Sequence, residues 1–177
     1  MTSFINIITI VRIILAPIIF LFLIFGNYLI CIILFFLAGL TDYFDGYLAR
    51  KYNAESQIGE ILDPIADKIL IVFILIGLSV ELDSFLIAFL SSFIIAREIG
   101  VAALRDYSSK NNISDRTKVT YLAKIKTAIQ LFCIGSYLFA LTINFNLLLL
   151  ISDIFLIIAT LITIYTGYEY TLNVFKK

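Results

Sequence analysis

Long apolar runs separated by a few polar breaks organise the 177-residue chain. A bilayer-spanning helix needs about 20 mostly apolar residues. Six segments reach that length, at about 5–25, 28–48, 59–80, 84–106, 119–142 and 147–170. The breaks are of two kinds. Gly26-Asn27, Glu81-Leu82-Asp83 and Ile143–Asn146 are short and carry no Lys or Arg, whereas Arg50–Ser56 and Tyr107–Lys118 are longer and polar. Arg50, Lys51, Lys110, Arg116, Lys118, Lys176 and Lys177 all fall on the side of the long breaks. Under the positive-inside rule this places both long connections and both termini in the cytoplasm. The pattern therefore predicts an all-α, polytopic membrane protein with six transmembrane helices. No repeat, linker or low-complexity stretch interrupts it, so residues 1–177 read as a single membrane domain. The first run continues beyond Pro17, past the length of a signal-peptide core, and reads as a retained helix.

Composition agrees and removes alternatives. Hydrophobic residues make up 62% and charged residues 15%, with a mean hydropathy of +1.05. Ordinary globular chains hold roughly 45–50% apolar and about 25% charged residues. A soluble fold needs more polar surface than this. Histidine is absent, which excludes histidine-ligated zinc and Ser-His-Asp catalysis. The net charge of zero argues against a nucleic-acid partner, and no phosphate-binding glycine loop of the soluble nucleotide-binding kind occurs. Cys31 and Cys133 lie in apolar runs and read as small buried hydrophobes.

The exceptions to this apolar character carry the chemistry. In the third span Asp63, Asp67 and Lys68 precede the uncharged Ile69–Val80, and in the fourth Ser84–Ala96 precede Arg97, Glu98 and Arg105. Neither uncharged run crosses a bilayer alone, so the charged turns must continue the helices toward the cytoplasmic interface. Ionisable groups at such depth mark function by default, while solvated helix ends in the headgroup layer are the plainer reading. At about 100° per residue, Asp42, Asp45, Gly46 and Ala49 share one face of the second helix. Gly59, Asp63 and Asp67, at i, i+4 and i+8, share a face of the third. Four carboxylates brought together in a poorly solvated place repel one another. A divalent cation resolves the conflict, and oxygen ligands favour Mg²⁺, Mn²⁺ or Ca²⁺ over zinc. Gly46 and Ala49 serve either close helix packing or close approach of a ligand to backbone.

In order these residues read Asp42-x-x-Asp45-Gly46-x-x-Ala49-Arg50, eight residues, Gly59-x-x-x-Asp63-x-x-x-Asp67. This resembles the signature of the CDP-alcohol phosphotransferase family at every position and spacing. The resemblance implies a six-helix membrane fold, usually a homodimer, that transfers a substituted phosphate from a CDP-linked donor to an alcohol and releases CMP. It also implies one or two divalent ions, Mg²⁺ or Mn²⁺, held by Asp42, Asp45, Asp63 and Asp67. Asp67 would be the general base, with a role as metal ligand only as the alternative. Thr41, Asp42, Gly46, Ala49, Arg50, Gln57 and Gly59 would line the CDP-donor pocket. Arg50 has a second reading, as a positive-inside anchor.

The chain further resembles the bacterial branch of the family that joins CDP-diacylglycerol to sn-glycerol 3-phosphate. The residues concerned are Asn6–Arg12 leading to Ala16-Pro17, Leu62–Lys68, Arg97-Glu98-Ile99 with Ala103-Leu104-Arg105, and Lys124–Gln130. Gln57, where relatives often carry Thr, and Tyr121-Leu122-Ala123, in place of a Gly-containing segment, depart from that pattern and bear on the acceptor. A phosphorylated acceptor calls for a basic pocket, expected at Arg97, Arg105, Lys124 and Lys126, whose other reading is as snorkelling anchors. Glu98 is expected to orient a neighbouring basic residue. The implied setting is the bacterial inner (cytoplasmic) membrane, with the site facing the cytoplasm and open to lipid. Phosphatidylglycerol, inositol phosphate or serine as acceptor are the alternatives within the family, and the basic pairs argue against serine. A cation or proton transporter is the alternative outside it. Transporters of that kind show interrupted helices or inverted repeats near the midplane, whereas here the acids gather toward one side.

Overall fold

The computed structural model describes residues 2–52, 57–111 and 121–175, and among these every regular element is an α-helix. The order is α1 (Thr2–Ile24), α2 (Tyr28–Tyr52), α3 (Gln57–Glu81), α4 (Phe85–Lys110), α5 (Tyr121–Ile143) and α6 (Asn146–Phe175). Four of them hold stretches long and apolar enough to cross a membrane: Ile7–Ile24, Phe85–Lys110, Ile125–Ile143 and Asn146–Phe175. In α2 the apolar stretch is shorter, Tyr28–Asp42. Asp63, Asp67 and Lys68 break up the apolar character of α3.

Two connections are shorter than the polarity pattern suggests. Arg50, Lys51 and Tyr52 continue α2, and Tyr107–Lys110 continue α4. No Gly or Pro stands in either segment to stop the helix, and polar side chains alone do not end one. Residues 53–56 and 112–120 lie outside the described residues.

The chain forms two compact units. One comprises Met1–Ser84 with Leu138–Asn144, the other Phe85–Tyr137 with Phe145–Lys177. In the first, α1 packs against both α2 and α3. Among the described side chains of α1 the buried ones are Thr9, Arg12, Ala16, Ile19 and Leu23, a 3-4-3-4 spacing that forms one straight seam. Ala66, Leu70, Ile71, Ile74, Leu75 and Leu78 are buried on α3 in its apolar part. Gly77 brings the two helices close. A Cβ there would lie 2.8 Å from Leu23 Cδ2 and 3.1 Å from Phe20 Cδ2.

In the second unit α4 packs against α6. Ile87, Ser91, Ile94, Glu98, Val101 and Ser108 are buried on α4; Ser152, Leu156, Ala159, Thr163, Thr166 and Tyr170 are among those buried on α6. Both seams mix small and hydroxyl-bearing residues with apolar ones. Hydrocarbon rewards no segregation of Leu from Leu, so membrane helices associate through close packing and interhelical hydrogen bonds. Ser136 and Ser152 hydroxyls lie 2.6 Å apart, and Tyr137 Oη donates to Asp153 Oδ1 at 2.5 Å. Large apolar side chains such as Phe25, Phe85, Ile99, Phe132 and Leu161 point outward, as a lipid-facing surface requires. Cys31 and Cys133 are both free and buried.

The three short turns share one device. Gly26, Asp83 and Asn144 have φ of 72°, 44° and 52°. At the first two, six-to-one bonds close the helix end: Asn27 N–H to Phe22 O at 2.9 Å and Ser84 N–H to Ser79 O at 3.1 Å. Left-handed backbone costs ordinary L-residues about 1–2 kcal/mol, less for Asn and Asp. Gly26→Ala is therefore expected to lower stability by about 1 kcal/mol through backbone strain, since an added Cβ meets nothing nearer than Tyr28 Oη at 3.9 Å. The check is a lowered thermal midpoint in detergent, with Gly26→Asn intermediate.

Candidate functional site

The seam of α1 changes character at its first two positions. Thr9 and Arg12 are fully buried there, and they face carboxylates. Thr9 Oγ1 donates to Asp63 Oδ1 at 2.8 Å. Arg12 Nη1 lies 2.8 Å from Asp42 Oδ1 and 3.0 Å from Asp67 Oδ1. One guanidinium nitrogen on α1 thus gathers a carboxylate from α2 and another from α3. The guanidinium side chain is 0% exposed, whereas the Asp42 and Asp67 side chains are 49% and 46% exposed. The cation forms the floor of the cluster, and the acids open outward from it.

Local structure supports this placement. Asp63 and Asp67 lie one turn apart in an unbroken helix, with Pro64 between them. Proline inside a membrane helix is tolerated when neighbouring groups satisfy the freed carbonyl. Gly59, a turn before Asp63, is buried. Thr41, next to Asp42, donates its hydroxyl back to Ala38 O at 2.8 Å. Asp45, Gly46, Ala49 and Arg50 continue α2, and Gln57 opens α3; their side-chain environments lie outside the described residues. Among the described residues no three His, Cys, Asp or Glu side chains form a ready metal-holding group. The donor chemistry nevertheless fits a hard divalent ion: the groups facing outward from Arg12 are carboxylate oxygens, with neither sulfur nor imidazole among them.

The second unit carries a separate basic cluster. Arg97 Nη1 lies 3.2 Å from Glu98 Oε1, and its Nη2 donates to Thr166 Oγ1 at 3.0 Å. Lys126 Nζ, nearly buried, pairs with the same Glu98 oxygen. Arg105 Nη2 donates to Tyr170 Oη at 3.0 Å, and its guanidinium carbon lies 5.3 Å from the Tyr170 ring centroid. The Arg97 guanidinium carbon lies 5.7 Å from the same centroid, within cation–π range. Of the four basic residues singled out by sequence, three converge around Glu98 and Tyr170. The side chain of Lys124 lies outside the described residues. Gly167 makes room for Arg97, since a Cβ at 167 would fall 2.9 Å from Arg97 Cγ.

Arg12 and Thr9 escaped notice as site residues, and so did Thr166 and Tyr170. The signal for Arg12 was present: it is the sole charged residue of the first 27, embedded in an apolar run, and such a charge needs a partner. Nothing in the sequence says which carboxylates it meets. Thr9, Thr166 and Tyr170 look like any other hydroxyl-bearing residue of an apolar helix, and only packing reveals their partners.

Comparison with known proteins joins these features. The family model for CDP-alcohol phosphatidyltransferase matches residues 4–165. A Rickettsia bellii protein named CDP-diacylglycerol–glycerol-3-phosphate 3-phosphatidyltransferase is 42% identical over 139 residues, 78% of this chain and 75% of its own length. Proteins of the same name from Rickettsia felis and Haemophilus influenzae are 38% and 34% identical over 169 residues. They cover 93% and 92% of this chain, and 91% and 88% of their own lengths. With the match running through both units and across the acidic signature on α2 and α3, the chain belongs to the CDP-alcohol phosphatidyltransferase family.

Proposed function

We infer that this chain transfers the phosphatidyl group of CDP-diacylglycerol to sn-glycerol 3-phosphate, giving phosphatidylglycerophosphate and CMP. The observation that carries this reading is similarity over nine-tenths of the chain to relatives bearing that activity in their names. The acidic signature supports the reaction class, and the basic cluster around Glu98 supports an acceptor that brings its own phosphate.

Members of the family generally depend on a divalent ion. Asp42, Asp45, Asp63 and Asp67 would hold one or two such ions, Mg²⁺ or Mn²⁺. The ion would supply Lewis-acid neutralisation of the donor pyrophosphate. The remaining chemistry falls to side chains. Asp67 takes the proton of the acceptor hydroxyl as that oxygen bonds to the diacylglycerol-linked phosphorus. The anhydride bond then breaks, and its electron pair leaves on CMP. Arg12 bonded to Asp67 Oδ1 orients this carboxylate, and Thr9 orients Asp63. Thr41, Gly46, Ala49, Arg50, Gln57 and Gly59 line the donor pocket. Arg97, Arg105, Lys124 and Lys126 bind the acceptor phosphate, arginine as a fork and lysine as a point charge.

The same reading has six transmembrane spans, with both termini and the site on the cytoplasmic side of the bacterial inner membrane. The distribution of Lys and Arg supports this, as does the apolar outer surface. Residues 1–177 act as one domain, and the working form is a homodimer. Acyl tails of the donor stay in lipid while its cytidine enters from water.

Purified protein in detergent, given CDP-dioleoylglycerol, Mg²⁺ or Mn²⁺ and radiolabelled sn-glycerol 3-phosphate, is expected to move label into a chloroform-soluble lipid. EDTA abolishes the transfer, and Asp67→Asn lowers kcat by about 100-fold or more. Metal-dependent CMP release with inositol phosphate, serine or phosphatidylglycerol alone would overturn the acceptor assignment. No CMP with any acceptor would overturn the reaction. A finer test uses Gly167→Ala, which crowds the Arg97 side chain. The KM for sn-glycerol 3-phosphate is expected to rise about tenfold, the loss of one charge-assisted contact, with the KM for CDP-diacylglycerol unchanged.

A further inference from the structure

We propose that Arg12 is the built-in counter-cation of the carboxylate site, holding Asp42 and Asp67 in place until a divalent ion arrives and competing with that ion for them. The inference rests on the metal-site reading above and adds to it a residue outside the acidic signature.

The observations are geometric. Arg12 is fully buried on the seam of α1, where the residues that follow at the same spacing, Ala16, Ile19 and Leu23, are small or apolar. A guanidinium placed there without an anion would be strongly unfavourable. Its Nη1 meets two carboxylate oxygens from two different helices, at 2.8 and 3.0 Å. Two carboxylates drawn to one point repel each other unless a positive charge lies between them. Arg12 supplies that charge from below, while roughly half of each acid side chain is open on the other side. Thr9 adds a neutral donor to Asp63 and no charge.

This arrangement differs in a measurable way from a helix-packing role. A positive charge at ion-pair distance from two ligands opposes a divalent cation by Coulomb repulsion, and because the guanidinium itself is fully buried that repulsion is screened less than between two exposed charges. Removing the charge raises the mutual repulsion of the two acids, which a divalent ion relieves. Arg12 therefore sets ion affinity low enough for exchange and keeps the ion-free protein folded. It is a positioning residue, since it acts through Asp42 and Asp67.

The test is Mn²⁺ binding, followed by electron paramagnetic resonance on detergent-solubilised protein without substrates, together with thermal midpoints with and without Mn²⁺. Arg12→Gln is expected to bind Mn²⁺ about tenfold more tightly than the wild type and to show a larger Mn²⁺-dependent rise in midpoint. Arg12→Lys, which keeps the charge, is expected to bind within about threefold of the wild type. Unchanged or weaker Mn²⁺ binding by folded Arg12→Gln overturns the proposal while leaving the metal site standing. No Mn²⁺ binding by the wild type overturns the metal-site reading and this one with it. If Arg12→Gln does not fold without the ion, recovery by Mn²⁺ or by a second change, Asp42→Asn, supports the charge-balancing role. Failure of both to restore folding assigns Arg12 to packing alone and overturns it.

Discussion

A buried charge in an apolar helix must find its opposite, and that requirement governs the first unit of this protein. Arg12 sits fully enclosed on the seam of α1, with one nitrogen bound to carboxylates from α2 and α3. Breaking such a pair on one side strands a charge in a medium of low dielectric, a cost of several kcal/mol by typical measurements. The three helices are thereby tied at the same level. The acids cannot drift from one another without exposing the cation, nor can α1 slide along α3 without stranding Arg12.

The rest of the seam makes this tie rigid. From Ala16 to Leu23 the buried face of α1 is apolar, and at Gly77 the two helices come so close that a single methyl group would clash with Leu23. Close packing of this kind tolerates few alternative registers. A polar cluster at the end of a tightly packed apolar seam inherits that precision.

The second unit solves the converse problem with the same physics. There the excess charge is positive, and one carboxylate, Glu98, accepts from Arg97 and Lys126 together. Arg105 leans on the Tyr170 ring and hydroxyl. In each unit one buried residue pairs with two side chains of the opposite sign, Arg12 with Asp42 and Asp67 and Glu98 with Arg97 and Lys126.

Much of this was legible in the chain itself. The six apolar runs correspond to the six helices among the described residues, and four of those helices hold stretches long and apolar enough to cross a membrane. Gly26, Asp83 and Asn144 closed the short turns as residues tolerant of left-handed backbone. The spacing of Asp63 and Asp67 put both on one helical face, and the expectation that Glu98 orients a basic neighbour agrees with its two ion pairs. The extents of α2 and α4 were less legible, because polar residues such as Arg50-Lys51-Tyr52 suit a helix end as well as a loop.

Only the tertiary structure decided which faces pack. In lipid the inward and outward sides of a helix are equally apolar, so hydropathy cannot separate the buried Ile19 from the exposed Leu21. Nor could sequence pair Thr9 with Asp63 or Arg12 with Asp42 and Asp67. Those partners lie 30 or more residues apart, and what brings them together is the register of α1 against its neighbours. That register is set by side-chain shape and the need to neutralise a buried charge, neither of which has a period that can be read along the chain.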